Sequence, residues 1–170
     1  MLGHQVAGDA VHFISGDANK PPSTCVYWYG MTPSQTISIS HVAELLAHSG
    51  YDFAEQSSGV LRVRDIHSGV GFQAALQGNV LYFTVHLMTL SAGDVSAGLM
   101  RKMLSGNNGI STSSFRLYDA EGGKVLVTLN NFCTLQDMGP EDHDDVLSCA
   151  SFLMADVVAA RDLLQPAVAA

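Results

Sequence analysis

The sequence predicts an α+β domain built on one antiparallel sheet of about five strands. Three observations carry that prediction. Runs of β-branched and aromatic residues recur between glycine turns, as hairpin strands do. Segments with apolar residues at helical spacing flank and interrupt those runs. The closing third, residues 115–164, shows both signals in succession. There Phe115-Arg116-Leu117-Tyr118 meets a turn at Gly122-Gly123, Lys124 to Asn130 returns, and Pro140 opens a long helix.

Taken in order, residues 1–36 form an N-terminal arm or an added β-hairpin. Val11-His12-Phe13-Ile14 and Cys25-Val26-Tyr27-Trp28-Tyr29 are strand-like, and Asp17-Ala18-Asn19-Lys20-Pro21-Pro22 between them is turn material. A single domain spans 37–166, and 167–170 is an alanine-rich tail. Within the domain, Ile39 to Ser49 is a helix with Val42, Leu45 and Leu46 on one face and Gly50 to end it. Three strands follow at Val60–Arg64, Phe72–Leu76 and Val80–Thr89, the last two joined by a tight turn at Gly78-Asn79. The third strand carries Leu81, Phe83, Val85 and Leu87 on one face and Tyr82 and Met88 on the other. Apolar bulk on both faces marks a central strand covered twice, or an interface.

Ser91-Ala92-Gly93-Asp94 has the spacing of a capping box and predicts a second helix ending near Gly106. Its stripe is Val95, Leu99 and Met103, widened by Met100 and Leu104. A polar, glycine-rich loop to Ser114 reads as mobile. In the returning strand, Val125, Val127 and Leu129 share the core face. Pro140 suits a first helical position, and Glu141, Asp142, Asp144 and Asp145 complement the N–H groups of the first turn. Val146, Ala150, Leu153, Val157 and Leu164 form the buried stripe of this last helix, with Cys149, Phe152 and Leu163 broadening it. The full order is α-β-β-β-α-β-β-α.

Composition narrows the function. The chain has 170 residues and is 47% hydrophobic, enough to bury a core unaided. Sixteen acids against eight bases give a net charge of −8. That balance argues against nucleic acid, which needs clustered Lys and Arg, and against an anionic membrane surface. No apolar run is long enough to span a bilayer. Cys25, Cys133 and Cys149 are too few and too widely spaced for a disulfide framework or a zinc motif, which suits a reducing, cytoplasmic setting.

No stretch spells out a reaction. His4, His12, His41, His48, His67, His86 and His143 are scattered, so neither a metal site nor a cofactor is expected. His86 reads as a hydrogen-bonded sheet residue. Asp142-His143-Asp144-Asp145 fits helix capping better than chelation, and Asn130-Asn131 fits a turn better than a ligand site. No Gly-x-Ser-x-Gly elbow, dinucleotide fingerprint or phosphate loop is present. The chain is not expected to be an enzyme. A pocket between sheet and last helix, for a small ligand or for catalysis, is the alternative, as is a regulatory or immunity-type protein of the same topology.

Residues 39–165 resemble the class I type III secretion chaperones and the related YbjN-like bacterial proteins. The likeness rests on the leading helix ending at Gly50, the apolar strand Asn79–Thr89 and the helix after Ser91. The hairpin closing on Leu129-Asn130-Asn131 and the final helix from Pro140 complete it. The resemblance implies a noncatalytic, acidic homodimer that holds an extended segment of a protein partner on apolar surfaces. It points to Leu81, Phe83 and Val85 on the long strand, and to Leu99, Met100 and Met103 on the middle helix, as binding residues. Core packing explains those helix residues equally well. The aromatic arm is a departure from these families.

Overall fold

The computed structural model describes residues 36–168, with side chains to 165. The arm or hairpin expected over 1–36 lies outside the described residues except for Thr36, and the tail falls largely outside as well. Helix α1 spans Ile39–His48, strands β1 to β4 span Tyr51–Ser57, Val60–Asp65, Gly71–Gln77 and Val80–Ser91, and α2 spans Ala97–Leu104. Strands β5 (Ser114–Ala120) and β6 (Lys124–Thr134) and the 29-residue helix α3 (Pro140–Val168) complete the domain.

All six strands join one antiparallel sheet in the order β1-β2-β3-β4-β6-β5. The α+β class is as expected, and β1 is one strand more than the sequence displays. Its residues Tyr51-Asp-Phe-Ala-Glu-Gln-Ser are nearly all exposed at the sheet edge, so burial stamps little alternation on them. Gly50 at φ +89° turns the chain from α1 straight into this strand, a conformation that L side chains seldom adopt.

Helices lie on one side of the sheet. α1 covers β1 and β2, while α3 covers β4 and β6. At 1.5 Å per residue α3 is a rod of roughly 44 Å. Its stripe Val146, Ala150, Leu153, Val157, Ala160 and Leu164 is at most 1% exposed. It meets Leu81, Phe83, Val85 and Leu129 of the sheet in the main core. Leu99 and Met103 of α2 close a second cluster with Val127 and Leu164. Phe152, expected to broaden the α3 stripe, is instead 50% exposed.

The second helix starts later than its spacing suggests. Ser91 is still paired in β4 with Lys124, and Ala92 N–H donates to the Gly123 carbonyl. Residues Ala92–Asp94 form a short 3-10 turn in which Ser91 makes no cap. Ser96 is the true cap, its hydroxyl accepting from Leu99 N–H at 3.1 Å.

Candidate functional site

Strand parity divides the sheet into a packed face and an open one. Leu81, Phe83 and Val85 of β4 point under the helices and are 0–1% exposed, so they are core and present no surface for a partner. Leu99 and Met103 are also buried. Met100, at 38% exposed, is the member of the predicted set that remains on the surface, beside Leu104 at 79%. A register shift between His86 and Met88 places an extra residue in β4. It brings Met88 to the helix side opposite Val127, so Met88 and Tyr82 do not share a face as strict alternation implies.

The open face contains Tyr82, Thr84 and His86 of β4 with their neighbours, and no described helix packs on it. Its floor is a chain of hydrogen bonds across β4 and β6. Thr84 Oγ1 donates to Asn130 Oδ1 (2.8 Å), Asn130 Nδ2 to Thr128 Oγ1 (2.7 Å), and Thr128 Oγ1 to the Arg116 carbonyl (3.3 Å). Thr128 and Asn130 are buried at 5% and 9% exposure despite lying on this side, and each has its partners. Asn130 and Asn131 are therefore strand residues, correcting the expected turn role. Asn131 faces the helices, donating to Thr112 Oγ1 and the Cys149 carbonyl.

Around that floor lie aromatic and basic side chains. Tyr82 and the 58%-exposed Phe132 tilt together with ring centroids 6.2 Å apart, and Tyr118 is 44% exposed. A groove of about 540 Å³ opens beside them, with Arg62, Gln73, His86 and Leu126 in its walls and Gly71 leaving room at its base. Arg62, Arg64, Arg116 and Lys124 all fall on this face by register. They are four of the eight Lys and Arg residues in the chain. Asp52, opposite Arg64, is the acid that the register places among them. His86 Nε2 lies 3.0 Å from Thr89 Oγ1, as expected of a hydrogen-bonded sheet histidine.

Two buried aspartates serve the scaffold. Asp142 accepts Gln136, Asp137 and Met138 N–H groups at 2.7–2.9 Å, fixing the turn that enters α3. Asp156, 3% exposed on α3, accepts the backbone N–H groups of Ser111, Thr112 and Ser113 and the hydroxyls of Ser111 and Thr112. Burial opposes its ionisation, yet those donors prevail and hold its carboxyl below the usual range. The loop expected to be mobile is thus tied to α3. Cys133 and Cys149 are free thiols on facing elements. The neighbouring thiol, then burial, pushes Cys133 up, while Cys133 in turn holds Cys149 down, and the Cys149 thiol donates to the Phe132 carbonyl at 3.4 Å. Among the described residues no His, Cys, Asp or Glu cluster could hold a metal, and no helix is long and apolar enough to cross a membrane.

This architecture, a sheet with helices on one side in the order α-β-β-β-β-α-β-β-α, is a YbjN-like fold. The crystal structure of YbjN from E. coli, a candidate transcription regulator, is similar at a TM-score of 0.54 and 14% identity. The likeness covers 78% of this chain and 92% of that one. A chain of the heterodimeric ExoU–SpcU complex from the type III secretion system of Pseudomonas aeruginosa aligns at a TM-score of 0.48 and 18% identity. That alignment covers 74% of this chain and 98% of the other. No family model and no curated protein sequence matches.

Proposed function

We propose that this chain is a noncatalytic protein-binding module that takes an extended segment of a protein partner across the open face of its sheet. The observation that carries the reading is that face itself. Antiparallel sheets tolerate a solvated side when it is evenly polar. Here the side instead joins exposed Phe132 and Tyr118 to a satisfied hydrogen-bonded floor and a flanking groove. Exposed aromatics with arginine are the side chains that protein contacts favour. A catalytic role has little to build on. His86 touches Thr89, but among the described residues no carboxylate orients its other nitrogen.

The module works as a homodimer in this reading, joined through the apolar strip that Met100 and Leu104 leave on α2. It operates in a reducing cytoplasm, where Cys133 and Cys149 stay as thiols. The groove volume also falls in the range of small-ligand pockets, so a metabolite is the second reading.

Photocrosslinking separates the two. A benzophenone side chain at Phe132 should capture a discrete protein adduct in the native cell. The same probe at Phe152, exposed on α3, should not. Equal capture at both positions, or a copurifying metabolite without any protein adduct, would overturn the proposal.

A further inference from the structure

We infer that the partner segment is acidic, with two carboxylates about six residues apart that meet Arg64 and Arg116, which stand four strands apart in one row across the sheet. The inference rests on the open face being the docking surface and adds the chemistry of what docks there. The register defines the row. Arg64 faces Gly71, His86 faces Thr128, and Thr128 faces Arg116. Gln73 faces Thr84, which brings Gly71 into line with His86. The row therefore runs Arg64, Gly71, His86, Thr128, Arg116 over β2, β3, β4, β6 and β5, and Asp52 of the edge strand β1 continues it beyond Arg64.

Five neighbouring strands at about 4.8 Å make four gaps, roughly 19 Å between the two arginines. An extended segment rising about 3.3 Å per residue crosses that distance in about six residues. Side chains six apart also point to the same side, so two carboxylates at i and i+6 reach both guanidiniums together. Between them the segment passes over Gly71, where no side chain obstructs it, then beside the exposed His86 and over Thr128.

Charge complementarity favours this occupant. The chain carries −8 overall, yet this face collects Arg62, Arg64, Arg116 and Lys124 against Asp52. Among the described residues none of these four cations makes a side-chain hydrogen bond or ion pair within the chain. Like-charged surroundings deter a dense polyanion such as nucleic acid, whereas a segment with two carboxylates needs only the local cations.

The test is selection of displayed random 16-residue peptides on the full-length chain, with affinity then measured for an enriched peptide. Enriched sequences should carry two Asp or Glu about six residues apart. Affinity should fall at least tenfold in Arg64→Glu/Arg116→Glu, and Arg64→Lys/Arg116→Lys should keep most of it. Enrichment of neutral or basic peptides, or an unchanged affinity in the charge-reversed variant, would overturn the acidic chemistry while leaving a peptide-binding face standing. Failure to enrich any peptide overturns both readings, and binding of a 20-nucleotide oligo-dT in their place would assign the face to single-stranded nucleic acid.

Discussion

Asp156 concentrates the most side-chain hydrogen bonds among the described residues, because five donors from Ser111, Thr112 and Ser113 converge on one buried carboxylate. Asp156→Asn replaces an acceptor-only group with an amide whose NH2 must face donors. The expected loss is about 3 kcal/mol, the scale of hydrogen bonds to a buried charge, read from urea unfolding. The sign of the pH effect follows from the lowered carboxyl. The stabilisation is complete above the unfolded carboxylate value of about 3.9 and is lost as pH falls through the lower folded value. The gap between wild type and Asp156→Asn should therefore close on acidification, and a constant gap down to pH 2 would refute the assignment. No motif in the sequence marks this residue. Its cue is a lone acid among the apolar positions of α3 opposite a run of three hydroxyl residues, a pairing that becomes visible once helix and loop are brought together. Asp142 was easier to read, because a carboxylate two residues after Pro140 already suggests a helix start.

At the scale of elements, strong periodicity was legible and local irregularity was not. The α1 and α3 stripes, the β6 alternation and the Gly78-Asn79 turn all follow from spacing alone, because burial on one face repeats every 3.6 or every two residues. Three features escaped for separate reasons. β1 is an exposed edge with little alternation, the extra residue in β4 resets its parity, and the capping-box spacing at Ser91 competes with continued strand pairing. Plain alternation ahead of that irregularity sets the candidate site. Apolar residues of the central strand attracted the functional reading, while the accessible residues were their alternate neighbours Tyr82, Thr84 and His86. The capping result gives a direct comparison. Ser96→Ala should destabilise the protein by about 1 kcal/mol, the usual worth of an N-cap, and Ser91→Ala should change the thermal midpoint hardly at all. The reverse ranking in thermal melts would restore the helix start to Ser91.

At the scale of the whole molecule, the described residues contain two buried apolar clusters under one sheet. The buried apolar residues of both clusters lie between Val42 and Leu164, on the six-stranded sheet and its helices. Residues 33–170 form a compact unit by themselves. A chain beginning at residue 33 should therefore fold by itself. About 138 residues is an ordinary domain size, at which roughly two-thirds or more of the unfolded surface can be buried. In differential scanning calorimetry the shortened chain should give one cooperative transition within about 3 °C of the full-length midpoint, since 1 kcal/mol corresponds to several degrees at this size. The same truncation probes the boundary expected near residue 36, which composition suggested by its aromatic strands and proline turn. Two transitions in the full-length protein, with the upper one retained at its temperature after truncation, would also satisfy an independent domain. A broad, uncooperative melt of the shortened chain would instead mean that the first 32 residues complete the core, and that the domain begins at the N-terminus.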